Sequence, residues 1–197
     1  MQEIRFHGRG GQGTVLASVA LAKAFFKSGF WVQTFPVFGS ERRGASVEAY
    51  LRLDKHKILA RCNVYEPDHV LVQDAKLLET IDVLKGLKAG GWILLNTPLS
   101  PEEIGGREGF ARFRIATVDA SRIAREHGLG SPSQPITNTA MLGAFARIMG
   151  APDLRDLLES IIEEMPARKP ENASAAEAAY AQTRTAPPSA AMDGGGP

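Results

Sequence analysis

Residues 3–27 read EIRFHGRGGQGTVLASVALAKAFFK, and this stretch decides the fold class. Residues 3–7 alternate between polar and apolar side chains, which is typical of a short β-strand. Residues 8–13, GRGGQG, interrupt the alternation, and residues 14–27 then carry apolar side chains at helical spacing. A strand, a glycine-rich loop and a helix in direct succession predict an α/β domain.

The rest of the chain continues this organisation, as short apolar runs alternate with helical patterns. Strands are predicted at 30–35, 46–53, 69–73, 92–95 and 112–118, and helices at 76–87, 120–126, 139–149 and 153–165. The strict alternation at 46–53 predicts a strand with one solvated face, at an edge or in an antiparallel pair. Together these elements predict a three-layer α/β/α domain with a mostly parallel, mixed sheet of Rossmann-like type.

The C-terminal part of the chain differs in composition from the rest. From Pro170 onwards Ala, Pro, Ser and Gly predominate, and residues 186–197 read APPSAAMDGGGP. Such a segment cannot bury a core, so we expect it to be disordered, whereas residues 173–182 are compatible with a helix. The predicted organisation is a folded domain at 1–169 and a tail at 170–197.

The composition excludes several classes of protein. The chain has 197 residues, of which 44% are apolar and 23% are charged, as in one ordinary globular domain. Lys and Arg number 23 against 22 Asp and Glu, a net charge of +1, so the bulk charge indicates neither a nucleic-acid-binding nor a membrane-binding surface. The first residues lack the apolar run of a secretion signal, and no later window suits a membrane span, so we expect a cytoplasmic protein.

The residues that usually carry catalysis are sparse. Cys62 is the only cysteine, and one thiol can form no internal disulfide and can ligate no iron–sulfur cluster alone. The four histidines (His7, His56, His69 and His127) are scattered, without a metal-ligand spacing such as H-E-x-x-H. The sequence contains neither a G-x-S-x-G elbow nor a P-loop lysine. We therefore expect no catalytic constellation and no metal site in this chain.

The glycine loop allows two interpretations. It matches G-x-G-x-x-G at Gly8, Gly10 and Gly13, between a strand and a helix, where a phosphate can approach the helix N-terminus. Glycines can also serve only to pack a helix closely against a sheet. The additional Gly11 and the polar Arg9 and Gln12 favour an anion-holding loop, because packing alone requires neither polar side chain.

A dinucleotide-binding site would need one more feature. An acidic residue at the end of the second strand, about 20 residues after the glycines, normally holds the ribose hydroxyls. Here residues 34–38 read TFPVF and contain no carboxylate. This argues against a self-sufficient NAD- or FAD-dependent oxidoreductase, which is retained as an alternative function together with a nucleotide-sensing module.

A second polar cluster follows the second predicted strand. It consists of Ser40, Glu41, Arg42, Arg43 and Gly44. If the second strand runs parallel to the first, both clusters lie at the same carboxyl edge of the sheet. A solvated turn, a ligand-binding loop and an interface loop all remain open for this cluster.

Several separated motifs make the chain resemble the gamma subunit, or fused gamma domain, of the 2-oxoacid:ferredoxin oxidoreductases. The motifs are GRGGQG at 8–13, GSERRG at 39–44, DHVLV at 68–72, LKAGGWILLN at 87–96, ASRIA at 120–124 and NTAMLGA at 138–144. Their order and spacing cover residues 3–165, and the first two are the most specific. The family comprises pyruvate, 2-oxoglutarate, 2-oxoisovalerate and indolepyruvate enzymes.

The resemblance implies a cytoplasmic complex that converts a 2-oxoacid, pyruvate or 2-oxoglutarate first among them, to an acyl-CoA by CoA-dependent oxidative decarboxylation. It implies thiamine diphosphate and iron–sulfur clusters on other subunits, and ferredoxin as the electron acceptor. The expected partners are alpha, beta and ferredoxin-type delta subunits, with no nucleic acid and no membrane. The chain itself would be a non-autonomous subunit that contributes to assembly and to CoA binding.

By matching motif, the resemblance assigns the two loops to a rim that faces CoA or a partner subunit. The candidate residues are Gly8, Arg9, Gly10, Gly11, Gln12 and Gly13 in the first loop, and Glu41, Arg42, Arg43 and Gly44 in the second. Arg9, Arg42 and Arg43 would be the side chains that hold anionic groups. No catalytic and no metal-binding residue is assigned.

Overall fold

The computed structural model describes residues 1–37 and 44–186, which form one seven-stranded sheet with helices on both faces. The strands are β1 (Gln2–Arg9), β2 (Trp31–Val37), β3 (Ser46–Asp54), β4 (His69–Val72), β5 (Trp92–Asn96), β6 (Arg114–Val118) and β7 (Arg184–Ala186). The helices are α1 (Thr14–Lys27), α2 (Pro101–Gly105), α3 (Ala120–Glu126), α4 (Asn138–Met149), α5 (Leu154–Glu164) and α6 (Lys169–Gln182), and a 3₁₀ helix covers Ala75–Glu79. Within these described ranges, no helix combines the length and apolarity needed to cross a membrane.

The sheet has a parallel centre and antiparallel flanks. Its order is β2-β3-β1-β4-β5-β6-β7. The four central strands β1, β4, β5 and β6 run in one direction. On one flank β3 lies antiparallel between β1 and β2, and on the other β7 pairs antiparallel with β6. This mixed α/β/α architecture confirms the predicted fold class.

Two apolar cores lie on opposite faces of the sheet. The larger core joins Phe6 of β1 to Phe25 of α1 and Phe145 of α4, which are all at most 2% exposed. The smaller core contains Leu77 of the 3₁₀ helix and Ile104 of α2. Each of β4, β5 and β6 contributes alternate residues to the two cores, as the twofold period of a strand requires. The sheet is therefore the middle of three layers.

The strand predicted at 46–53 is β3, and its predicted antiparallel pairing is confirmed. The expected solvation of one face is wrong, because Tyr50 and Arg52 are only 6% and 1% exposed. The Arg52 guanidinium is satisfied inside the fold, since Nε donates to Glu3 Oε1 at 2.7 Å and Nη2 donates to the Cys62 carbonyl at 2.7 Å. A buried charge is tolerated only when it is paired in this way.

Residues 76–87 do not form the helix that their spacing predicts, so that prediction is wrong. Regular structure ends with the 3₁₀ helix at Ala75–Glu79. The chain then turns at Asp82, whose carboxylate accepts from the Leu84 amide at 3.0 Å, and again at Gly86, whose φ is +73°. Side chains of this segment reach the smaller core from successive turns. Their spacing therefore resembles that of a helix, although the residues contact the core from turns.

Residues 170–186 belong to the folded domain. α6 packs against α4 and buries Ala175, Ala176 and Ala179 completely, while β7 pairs with β6. The folded unit thus extends past the expected boundary at 169 through Ala186, and α6 covers residues 173–182, for which a helix is expected. The part of the tail for which disorder is expected lies, from residue 187 onwards, outside the described residues.

Gly143 tests the contact between α4 and α6, because a Cβ at this position would collide with the Ala176 carbonyl. We expect Gly143→Ala to lower the free energy of unfolding by about 1–3 kcal/mol, the usual effect of overpacking a core. Urea unfolding of the full chain measures this change. Gly106→Ala is the matched control, since its Cβ would meet its nearest atom at 3.6 Å. Equal stability of the two variants would contradict the close packing of α6 on α4.

Candidate functional site

A cleft opens where the connections from two neighbouring parallel strands leave the sheet on opposite sides. β1 leads into α1, which packs in the larger core, whereas the neighbouring β4 leads into the 3₁₀ helix of the smaller core. Such a switch point leaves a crevice at the carboxyl ends of the strands, where α/β proteins bind ligands. The cleft here has a volume of about 920 Å³ and is lined by residues 9–12, 44, 73–76, 96, 121, 125 and 130–137.

The glycine loop between β1 and α1 forms one wall of this cleft. At two of its positions the packing of the fold requires glycine. A Cβ on Gly8 would collide with the Thr14 hydroxyl and with Gln73 Oε1. Gly13 has a left-handed φ of +72°, and a Cβ there would also press against the Asn138 side chain. Gly11 and Gln12, by contrast, line the cleft. The loop therefore combines close packing at Gly8 and Gly13 with a surface at Gly11 and Gln12 that lines the cleft.

A polar network joins the carboxyl ends of the central strands beneath the cleft. The Thr14 hydroxyl donates to the side-chain Oε1 of Gln73 at 2.7 Å, and the backbone amide of Gln73 donates to the His7 carbonyl at 2.8 Å. Asn96 Nδ2 donates to the Gln73 carbonyl at 2.8 Å, and Asn96 Oδ1 accepts from the Ser121 amide at 3.1 Å. These bonds tie the ends of β1, β4 and β5 to the start of α3. Sequence reasoning missed Gln73 and Asn96, although each directly follows a buried apolar run.

Arg9 is held at the rim of the cleft by partners from distant parts of the chain. Its Nε donates to Asp74 Oδ2 at 2.7 Å, and its Nη1 donates to the Gly44 carbonyl at 3.1 Å. The Arg9 amide donates to Gln12 Oε1 at 2.8 Å, so the Gln12 side chain stabilises the loop itself. The lining of the cleft contains three cationic residues, Arg9, Lys76 and Arg125, against one carboxylate, Asp74, among the described residues. The rim therefore favours an anionic ligand.

The second candidate loop ends beside the first. β2 runs in the same direction as β1, because both are antiparallel to β3. The Gly10 amide donates to the Ala45 carbonyl at 2.9 Å, which places Gly44 against the glycine loop. Of the second cluster, Ser40, Glu41, Arg42 and Arg43 lie outside the described residues.

Two histidines are buried and uncharged at neutral pH. Burial, with a smaller contribution from Arg5, lowers the pKa of His7 to about 3, and burial lowers the pKa of His69 to about 4. Glu48 Oε1 lies 3.5 Å from His7 Nδ1, but the contact is not a hydrogen bond and the neutral ring forms no ion pair. In residues 1–37 and 44–186, no three side chains of His, Cys, Asp or Glu are placed to hold a metal ion.

Comparison with known proteins identifies the family of this chain. Residues 3–182 match the sequence model of the family described as pyruvate ferredoxin/flavodoxin oxidoreductase. The chain belongs to this family. The match covers the glycine loop and every helix of the fold, so the predicted resemblance is confirmed.

The similar proteins identify the type of subunit within the pyruvate ferredoxin/flavodoxin oxidoreductase family. The chain is 49% identical over 184 residues to the "Pyruvate/ketoisovalerate oxidoreductases common subunit gamma" of Thermococcus kodakarensis, covering 93% of this chain and 97% of that one. It is 46% identical over 181 residues to the "Pyruvate synthase subunit PorC" of Methanocaldococcus jannaschii, covering 91% and 96%. The crystal structure of the pyruvate oxidoreductase subunit PORC from Thermotoga maritima is 33% identical, has a TM-score of 0.78 and matches over 94% of this chain and 98% of that one. The chain is therefore a gamma-type subunit of the family.

The buried histidine in β1 makes the stability of this gamma-type chain depend on pH. Unfolded His7 takes up a proton near pH 6.5, whereas the folded group does so only near pH 3, so stability is lost as the pH falls through this window. From pH 7 to pH 5 the loss from this one group is about 2 kcal/mol. We expect His7→Gln to show a correspondingly smaller loss in urea unfolding over that range.

His56→Gln is the control for this experiment, because the His56 side chain is 93% exposed. This control should lose more stability between pH 7 and pH 5 than His7→Gln does. An unchanged pH dependence in His7→Gln would show that His7 is not held neutral by burial.

Proposed function

We propose that the chain is a gamma subunit in a cytoplasmic complex that oxidatively decarboxylates a 2-oxoacid to an acyl-CoA, with ferredoxin as the electron acceptor. Pyruvate is the first substrate to test and 2-oxoglutarate the second. Its relative in Methanocaldococcus jannaschii is named for pyruvate synthase, which supports pyruvate. Its relative in Thermococcus kodakarensis is named as common to pyruvate and ketoisovalerate oxidoreductases, which supports selection of the 2-oxoacid by other subunits.

The partners in this proposal are alpha, beta and ferredoxin-type delta subunits, which would carry thiamine diphosphate and the iron–sulfur clusters. A cluster needs about four cysteine ligands, and Cys62 is the only cysteine of this chain. Exposed apolar side chains support a surface for such partners. Trp31 on the outer strand β2 is 49% exposed, and Leu59 and Tyr65 are 77% and 71% exposed. The Gln33 side chain donates to the Ala60 carbonyl, which holds the segment of Leu59 next to β2.

The cleft at the switch point is the observation that carries the proposed role in CoA binding. Its glycine loop leads into α1, whose N-terminal amides and dipole favour a phosphate group. Lys76 and Arg125 line the cleft and have no carboxylate partner among the ion pairs of the described residues. In this proposal they bind the phosphates of CoA together with Arg9, Arg42 and Arg43, while Glu41 and Gly44 belong to the same rim. When bound, CoA supplies the thiol that accepts the acyl group.

Copurification tests the subunit role. The chain is recovered by affinity from its native extract under anaerobic conditions, and the eluate is assayed for CoA-dependent reduction of a low-potential dye with pyruvate, 2-oxoglutarate and 2-oxoisovalerate. We expect larger subunits with bound thiamine diphosphate, and activity with at least one 2-oxoacid. Recovery of the chain alone with a bound nucleotide would instead support the alternative, a stand-alone NAD- or FAD-binding oxidoreductase or a nucleotide-sensing module, and would contradict the subunit role.

Charge reversal tests the cationic rim. In the purified complex, Arg125→Glu and Arg42→Glu should each raise the KM for CoA by about tenfold or more, because each replaces an attraction to phosphate by a repulsion. The KM for the 2-oxoacid should stay the same. Arg155→Glu is the matched control, since Arg155 is 80% exposed on α5 and does not line the cleft. If all three variants keep the same KM for CoA, the rim does not bind it.

A further inference from the structure

Two polar side chains lie buried at the cleft with their hydrogen-bonding capacity unfilled. Gln73 and Thr137 are 1% and 2% exposed, and both line the cleft. Gln73 Nε2 and Thr137 Oγ1 have no hydrogen-bond partner among the described residues. A buried polar group without a partner costs about 1–3 kcal/mol, so such atoms usually have a partner in the functional state.

The Gln73 carboxamide cannot satisfy itself by rotating. The Thr14 hydroxyl donates to Gln73 Oε1 at 2.7 Å. This contact is possible because Gly8 has no Cβ, which would collide with both atoms. The amide has two polar ends, and the single hydroxyl of Thr14 satisfies only one of them, whichever way the amide is turned. In the part of the chain that the structure describes, the other end therefore remains unpaired, in a residue that lines the cleft. This arrangement is preorganised, because it exists before any ligand binds.

The surroundings of these two atoms indicate the chemistry of the ligand group. The cationic side chains of the cleft are all more exposed than Gln73. Arg9 is the least exposed of them, at 29%, and it is paired with Asp74. The most deeply buried lining groups are amides and hydroxyls, namely Gln73, Asn96 and Thr137. An anion at that depth would be desolvated without a buried cation to compensate it, which is costly.

We propose that Gln73 and Thr137 form a subsite that binds an uncharged acceptor on the cleft ligand, such as a carbonyl oxygen, a ribose hydroxyl or a ring nitrogen. The inference rests on the proposed binding of CoA, and it divides the cleft into a cationic rim for phosphates and a neutral floor. The acceptor belongs either to the nucleoside end of CoA or to its pantetheine arm. Thr14 and Gly8 are positioning residues, because they hold the Gln73 amide without contacting the ligand.

Calorimetric titration of the full chain with CoA tests the subsite. Thr137→Val and Gln73→Met should each weaken CoA binding by about 3- to 10-fold, since each removes one hydrogen bond to a buried acceptor. Thr117→Val is the matched control, because the Thr117 hydroxyl is also buried and without a partner but lies on β6 and does not line the cleft. It should bind CoA as the unaltered chain does. Urea unfolding of each variant shows that a weaker affinity does not come from loss of the fold.

Two fragments of CoA identify the source of the acceptor. Adenosine 3′,5′-bisphosphate carries the nucleoside end, and 4′-phosphopantetheine carries the arm. The fragment whose affinity falls in Thr137→Val, but not in Thr117→Val, contains the bound acceptor. If both cleft variants bind CoA as tightly as the unaltered chain, while Arg125→Glu weakens binding, the proposed subsite is contradicted. The proposed binding of CoA in the cleft is then still supported. If the unaltered chain binds neither CoA nor a fragment, CoA binding by the cleft fails as well.

Discussion

The hydrogen bond between the Thr14 hydroxyl and Gln73 joins the first turn of α1 to the end of β4, and the cleft depends on it. It spans the two strands whose connections leave the sheet on opposite faces, so it fixes the distance between the two walls. The bond exists only because position 8 has no Cβ. Asn96 continues the same network to the third parallel strand. Side chains below the cleft thus fix the strand ends from which its loops arise.

Much of the fold was predictable because it depends on local pattern. The strand, glycine loop and helix of residues 3–27 form where the sequence places them, since strand alternation, glycine and helical spacing follow without a break. The errors arise from distant contacts. Residues 76–87 have helical spacing but follow the surface of the smaller core in turns. The face of β3 that contains Arg52 has the alternation of a solvated strand, yet Glu3 and Cys62 enclose it.

The candidate site was predictable only in part, for a related reason. The glycine loop has a sequence signature, and its position at the carboxyl end of β1 follows from that signature. Arg9 was predicted as a rim residue, but its ion pair with Asp74, which comes 65 residues later, could not be anticipated. The unfilled hydrogen-bonding atoms of Gln73 and Thr137 could not be predicted, because an atom without a partner is a property of the packed structure. Polar residues directly after apolar strands, such as Gln73 and Asn96, are the one local signal that was present.

The packing of α6 on α4 also has a consequence for how the chain is made. α4 presents Gly143 to the Ala176 carbonyl, and Thr139 donates to the Asn172 side chain at 2.9 Å. These partners are about thirty residues apart in sequence, so the face of α4 that α6 covers stays open while α6 is still in the ribosomal exit tunnel. The nascent chain therefore displays apolar helix surface until residues near Ala179 emerge. The larger core is thus completed late in synthesis, when α6 becomes available to pack.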